Sequence, residues 1–384
     1  MEARVPKAFS RGSGMRPRGR FWRHRYNDAM NELEQLLATV IDPACGLRLS
    51  ETGARVRVAS DGGQAAVALT LGYPLAEDGI ASLREAVAEA LGAMPLASFE
   101  VGRRIVAHAP QPNVVPSSRV RNILAIGSGK GGVGKSTTAV NLALALAADG
   151  ARVGVLDADV YGPSVPMMLG LSGRPDSPDG KAIEPMRAHG IEAMSIGLMV
   201  EQDTPMIWRG PMATSALTQL LEQTLWGGEA GLDYLIVDLP PGTGDIQLTL
   251  AQKIPVAGAI IVTTPQDVAT LDARKAVKMF EKVQVPVLGV VENMAVHVCT
   301  NCGHAEHIFG EGGGERMAAR YGIPLLGSLP LELAIREQGD AGLPVVASAP
   351  DSAAARAYRA TARAISAQLA TRPRAAMPIA SSMV

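Results

Sequence analysis

Cysteine is scarce in this chain: three in 384 residues, too few for a disulfide framework, so any pair of thiols has to be explained by metal or redox chemistry. Long apolar runs are missing as well. The longest, near 139–148 and 256–264, reach about half of the roughly 18 residues that a spanning helix needs and are interrupted by polar groups. No signal-like apolar segment follows the first residues. These absences exclude a membrane-spanning or disulfide-stapled protein and favour a soluble, cytoplasmic one with no membrane partner. Net charge is also small, −1 from 36 Lys+Arg against 37 Asp+Glu. It is unevenly placed: residues 1–25 carry a surplus of +7, which leaves −8 for everything after. An acidic body argues against a specific nucleic-acid footprint, which needs clustered positive charge.

With 47% apolar residues the chain can bury large cores, and its length suits two or three domains. Residues 1–26 mix Arg, Gly, Pro and Ser without apolar period and read as a basic disordered tail. An organellar transit segment and a true start at Met30 are the competing readings of the same stretch. Residues 27–108 read as a small α+β domain. Helical spacing of Met30, Leu33, Leu36, Leu37, Val40 and Ile41 predicts a helix ended by Asp42-Pro43; alternation over 54–59 and 65–71 predicts a hairpin, followed by a helix over 80–91 and a strand over 98–107. Three prolines in 109–121 predict a semi-rigid linker. Beyond it, over 122–370, apolar β-branched runs at 122–126, 153–157, 234–238, 259–262, 287–291 and 324–329 alternate with helical stretches. That pattern predicts an α/β fold, a mostly parallel sheet covered by helices on both faces. Residues 371–384 read as a loose C-terminal end.

The run Gly129-Lys130-Gly131-Gly132-Val133-Gly134-Lys135-Ser136-Thr137 follows an apolar strand and opens an Ala/Leu-rich helix, the context a phosphate-binding P-loop requires. Glycines let the backbone curl so that several N–H groups face one spot, and the helix N-terminus adds partial positive charge there. Lys135 would neutralise the β and γ phosphates of ATP, the Ser136 hydroxyl would ligate Mg2+, and Thr137 would bond the α phosphate. Leu235-Ile-Val-Asp238 is an apolar strand ending in a carboxylate suited to the magnesium shell. It runs into Pro240-Pro-Gly-Thr-Gly-Asp245, glycine-rich backbone placed to sense the γ phosphate. Asp157 and Asp159 end the next strand.

The extra lysine, Lys130, resembles the deviant Walker A loop of the class that includes nitrogenase iron protein, MinD, ParA and the arsenite-pump ATPase. The resemblance implies a homodimer in which Lys130 acts on the partner's nucleotide, Asp159 orients the attacking water, Asp157 supports the switch, and Asn293 bonds adenine. Cys299 and Cys302, two residues apart in a polar loop, can grip one metal or one edge of a cluster. Two ligands are too few, and two chains presenting the pair across a two-fold axis would complete four thiolates. A zinc site using His297, His304 or His307 competes. Taken with Asp157-Ala-Asp-Val-Tyr-Gly-Pro-Ser164, Asp238 to Asp245 and Glu292-Asn-Met294, the pair resembles the Mrp/ApbC family of iron-sulfur cluster carrier ATPases. That resemblance implies slow ATP hydrolysis coupled to transfer of a bridging 4Fe-4S cluster, with apo iron-sulfur clients and an assembly scaffold as partners. The leading domain resembles the one found in iron-sulfur assembly factors, but has Tyr73-Pro74 where such domains can carry a cysteine. A MinD/ParA-like positioning ATPase and a zinc-binding, nucleotide-dependent regulator are the alternatives.

Overall fold

The computed structural model describes residues 30–61, 63–178, 180–199 and 210–375. The expected basic tail, 1–26, and most of the expected loose end, 376–384, lie outside them. The chain divides into two compact units, up to Ile105 and from Val106.

In the smaller unit, helix α1 spans 30–38 and stops short of the expected Asp42-Pro43. The backbone N–H and hydroxyl of Thr39 both turn back onto the Leu36 carbonyl, closing the last turn before the proline is reached. Strands β1 (Arg55–Asp61) and β2 (Gln64–Leu71) form the hairpin. Helix α2 (Glu77–Leu91) then crosses over to β3 (Leu96–Arg103), parallel to β2 and shorter at its end than the sequence suggests. Leu37, Val67, Leu69, Leu83 and Val87 are buried together as the core residues of these elements. Tyr73 donates to Asp42 Oδ2 at 2.5 Å, and the Cys45 thiol lies 3.9 Å from the Tyr73 hydroxyl. Burial and then the Asp42 charge push this thiol up to about 11, so it stays protonated and unsuited to holding a cluster.

The larger unit is built on an eight-stranded sheet. In chain order it comprises β4 (Val120–Ser128), α3 (Lys135–Ala148), β5 (Val153–Asp157), α4 (Val165–Met168), β6 (Met186–Ala188) and β7 (Ile191–Ser195). There follow α5 (Gly210–Gln223), β8 (Leu232–Asp238), α6 (Asp245–Lys253), β9 (Val256–Thr263), α7 (Asp267–Lys282) and β10 (Val287–Glu292). A small hairpin β11 (His297–Val298) and β12 (Ala305–Glu306) precedes α8 (Gly313–Tyr321), β13 (Leu325–Ser328), α9 (Leu333–Asp340), α10 (Val345–Ser348) and α11 (Ala353–Ala370). Strand order is β13-β10-β9-β4-β8-β5-β7-β6, parallel except for the antiparallel edge strand β6. The expected α/β class therefore holds. Side chains alternate across the sheet: Ile123 and Ala125 of β4 join a core with Leu217, Leu250, Phe280 and Met317 from α5 to α8, while α3, α10 and α11 pack together and against the sheet as the other layer.

Two features depart from the sequence reading. Strands β6 and β7 gave no apolar run, because β7 carries Glu192; the carboxylate is satisfied by the Gly227 N–H at 2.7 Å and by Arg187 at 3.2 Å. The expected linker, 109–121, is fastened to the larger unit. Buried Gln111 donates to the carbonyls of Ala251 and Ile254 at 2.8 and 2.7 Å and accepts from the Val256 N–H at 2.9 Å, which fixes the approach to β9. No helix among the described residues is long and apolar enough to cross a membrane.

At the end of α3, Asp149 is 3% exposed and receives Nε and Nη2 of Arg363 at 2.6 and 2.9 Å, with Arg359 at 3.2 Å. A carboxylate is unfavourable at a helix C-terminus, so the α11 guanidinium groups set its worth. Asp149→Ala leaves Arg363 buried without this partner; urea unfolding is expected to show a loss of about 3 kcal/mol or more.

Candidate functional site

Every strand end that matters for chemistry lies at the C-terminal edge of the parallel sheet. There β4 gives way to the glycine loop and then to α3. Gly132 and Gly134 have φ of 79° and 80°, conformations that favour glycine. At Gly129 a Cβ would stand 2.0 Å from the Asp272 backbone, so the loop passes α7 only because that side chain is absent. Ser128 Oγ donates to the Lys130 carbonyl at 2.9 Å, and buried Val133 anchors the far side. Helix α3 opens with no side-chain cap, which leaves the first-turn N–H groups at Lys135, Ser136 and Thr137 as donors for an outside acceptor. Gly131 and Gly132 face open space. The Lys130 ammonium makes no hydrogen bond or ion pair among the described residues.

Three carboxylates converge on one cation. Parallel pairing of β5 with β8 sets Asp157 directly beside Asp238, and both are fully buried. Lys135 Nζ lies 2.6 Å from Asp238 Oδ1, 3.9 Å from Asp159 Oδ2 and 3.3 Å from Ser136 Oγ. Asp157 accepts from the Asp159 N–H, the Val165 N–H and the Ser195 hydroxyl, each at 3.1 Å. Asp159 in turn accepts from the N–H groups of Tyr161 and Gly162 at 3.3 Å, fixing the loop after β5. Burial, then the Asp238 charge, pushes the Asp157 carboxyl up to about 7. Burial also raises Asp238, opposed by Lys135 and the nearby Ser136 hydroxyl. Asp238 Oδ2 is buried with no hydrogen-bond partner. An orphaned carboxylate oxygen beside a serine hydroxyl, in a site with more negative than positive charge, is a hard-oxygen donor set that suits Mg2+.

The glycine-rich run after β8 lies against the loop: the Leu239 N–H donates to the Ile126 carbonyl at 3.2 Å and the Gly242 N–H to that of Ser128 at 3.0 Å. Gln247, which the sequence did not single out, donates to the Pro241 carbonyl at 2.5 Å and holds this run to α6. Asp245 stands exposed in the first turn of α6; among the described residues no hydrogen bond or ion pair joins its carboxylate to the three buried ones. Ser195 was also missed, since a hydroxyl at the end of a short strand carries no pattern of its own.

Asn293, expected to meet adenine, is buried and turned toward the loop: its Nδ2 donates to the Val133 carbonyl at 2.9 Å, and a Cβ on Gly134 would stand 2.1 Å from that atom. A cavity of about 170 Å³ opens beside it, lined by Gly134, Thr137, Asn293, Met294, Pro330 and Leu331 among others. A second glycine run, 312–314, starts α8. There the Glu292 carboxylate accepts from the Gly314 N–H at 2.7 Å and occupies that helix start itself.

Cys299 and Cys302 occupy the turn of the β11-β12 hairpin, closed by the Cys299 N–H on the His304 carbonyl and the Gly303 N–H on the Cys299 carbonyl, both 2.9 Å. Backbone N–H groups of Cys302 and Asn301 lower the Cys299 pKa and favour its thiolate. Cys302 is exposed. The Nδ1 atoms of His297 and His307 are committed to the carbonyls of Leu331 and Ala295 at 2.9 and 2.7 Å. Among the described residues no group of three or more His, Cys, Asp or Glu is placed to hold one metal ion, so a Cys₂His₂ site is not assembled within one chain.

The raised Asp157 pKa yields a pH prediction. Between the ordinary aspartate value near 4 and about 7, folding takes up a proton at Asp157. Its contribution is therefore complete below about pH 4 and lost as pH rises through 7. Asp157→Asn loses an acceptor and so carries a constant offset, but the Tm of the variant relative to wild type, without nucleotide, should climb from pH 4 to 8. A flat difference would show that Asp157 ionises normally.

A family model described as NUBPL iron-transfer P-loop NTPase matches residues 119–366, and one described as iron-sulfur cluster assembly protein matches residues 31–101. The chain is 48% identical over 346 residues to the iron-sulfur cluster carrier protein of Haemophilus influenzae, covering 89% of this chain and 92% of that one. It is 59% identical over 265 residues to that of Pseudomonas fragi, covering 68% and 91%. Among solved structures, the nucleotide-binding protein of Archaeoglobus fulgidus in complex with ADP superposes with a TM-score of 0.52 at 36% identity, over 61% of this chain and 90% of that one. The matched span contains the glycine loop, the three buried carboxylates and the cysteine hairpin, and on these grounds the chain belongs to the NUBPL iron-transfer P-loop NTPase family.

Proposed function

We propose that two copies of this chain form an ATP-hydrolysing carrier that holds a 4Fe-4S cluster as cargo between their Cys299 and Cys302 pairs. The carrier receives it from an assembly scaffold and delivers it to apo iron-sulfur proteins. The observation that carries this reading is the cysteine hairpin. It offers two thiols, Cys302 exposed and Cys299 partly exposed and favoured as thiolate, and among the described residues no third ligand is placed beside them. A cargo needing four sulfurs is then completed by a second copy. The names of the relatives support an iron-sulfur cluster as the cargo, and a reducing compartment such as the cytoplasm suits free thiols of this kind.

In this reading the N–H groups of 129–137 cradle the phosphates of ATP, and Lys135 turns from Asp238 onto the β and γ phosphates. Ser136 and Asp238 Oδ2 are the residues that would hold Mg2+, which when bound neutralises charge on the phosphate oxygens. Asp159 orients a water that attacks the γ phosphorus as the bond to the β-γ bridging oxygen breaks, giving ADP and phosphate; the water proton leaves on phosphate. Asp157 holds the loop that carries Asp159. Lys130 of the second copy places positive charge on the transferring group. The run from Pro240 to Asp245 follows the presence of the γ phosphate, and Asn293 and Thr137 border the space for the base and the α phosphate.

Replacing both Cys299 and Cys302 by alanine should abolish visible absorbance and bound iron after anaerobic reconstitution, with ATP binding retained. Unchanged iron content would overturn the reading, and zinc in place of iron and sulfide would favour a zinc-bridged regulator. Lys135→Ala should keep the cluster but lose nucleotide-dependent transfer to an apoprotein. Lys130→Ala should lower the hydrolysis rate on the order of 10³-fold in a phosphate-release assay; a change of less than about tenfold would deny it a role in trans.

A further inference from the structure

The wall of the cavity beside the glycine loop is also the anchor of the cysteine hairpin. Leaving β10, the chain makes four successive bonds with the segment after β13: Leu329 N–H to the Glu292 carbonyl at 2.8 Å, Ala295 N–H to that of Leu329 at 2.9 Å, Leu331 N–H to that of Val296 at 2.8 Å, and His297 Nδ1–H to that of Leu331 at 2.9 Å. Pro330 and Leu331 line the cavity on one side and hold His297, two residues before Cys299, on the other. At the same point Asn293 is bonded to the Val133 carbonyl of the loop, so the hairpin stem is tied to the loop and to the cavity wall at once. The return strand is fixed to the stem as well, through His307 and the Ala295 carbonyl.

Taking this cavity as the space that the proposed function gives to the base, we infer that the Leu331–His297 bond transmits its occupancy to the thiols, with His297 a positioning residue for the cysteine pair. A group entering the cavity pushes on Pro330 and Leu331, and the Leu331 carbonyl moves with them. His297 follows its acceptor, and the angle of the hairpin turn changes. Nucleotide binding and metal binding are then linked, each altering the other's affinity by the same factor. The phosphate end alone, held at the glycine loop rather than against Pro330 and Leu331, presses less on this wall and moves the hairpin less. The inference rests on the proposed role of Cys299 and Cys302 as metal ligands and extends it by naming what governs them.

Co2+ serves as the metal probe, since thiolate coordination gives it a charge-transfer absorption. Full-length protein is titrated with Co2+ alone, with Mg2+ and ADP, and with Mg2+ and tripolyphosphate. ADP is expected to shift the Co2+ affinity by about fivefold or more, and tripolyphosphate by less than half of that shift on a logarithmic scale. His297→Ala should reduce the ADP-induced shift to less than twofold while leaving ADP affinity without metal within about twofold. His297→Gln, which keeps a donor, should recover part of the coupling. Equal shifts by ADP and tripolyphosphate, or coupling that survives His297→Ala, would overturn the inference, as would a large loss of Co2+ affinity in His297→Ala without nucleotide, which would make His297 a ligand. Amide hydrogen exchange over 297–306 separates the two levels. Absence of a thiolate band refutes the ligand role of the cysteines, whereas exchange unaltered by ADP refutes the coupling even when Co2+ binds.

Discussion

Three carboxylates share one lysine at the C-terminal edge of the sheet, and the rest of the nucleotide unit is arranged around that imbalance. Parallel pairing puts the buried carboxyl groups of Asp157 and Asp238 side by side, with Lys135 the cation among the described residues that offsets them. Charge held this way costs stability in a protein interior unless each oxygen is satisfied. Asp157 meets the requirement with three donors, whereas Asp238 leaves one oxygen bare. The fold thus keeps an unsatisfied carboxylate oxygen beside the glycine loop, where the proposed Mg2+ and nucleotide would sit, and satisfies its buried charge elsewhere, as the doubly bonded Asp149 illustrates.

The second organising feature is the end of β10. Within a few residues it supplies a carboxylate to α8, an amide to the glycine loop, a wall to the cavity and the stem of the cysteine hairpin. Close approach depends on glycine at 134, since any side chain there would displace Asn293. The glycine loop and the hairpin bearing the thiols are therefore joined through the buried Asn293 amide on one side and the bonds of 292–297 with 329–331 on the other, with the cavity wall between them.

Much of this was legible in the sequence because it is local. Glycine spacing announced the loop, apolar runs ending in Asp announced β5 and β8, and the paired cysteines announced themselves. What escaped is non-local. Strand β7 was hidden by Glu192, whose partner Gly227 lies in another loop. The Pro-rich stretch read as a linker because nothing in it shows that Gln111 finds its acceptors about 140 residues further on. Asn293 carries a motif position in the sequence, but its bond to Val133 emerges only from folding. Ser195 and Gln247 are ordinary residues until the loops bring a carboxylate or a carbonyl to them.

Glu292 carries a last implication. Helices α3 and α8 both begin after a cluster of glycines, and a bare helix start attracts anions regardless of origin. At α8 the chain spends its own carboxylate on that vacancy, so phosphate meets competition there that it does not meet at α3. A resident anion at one opening thus distinguishes it from the other, which stays available to an outside anion.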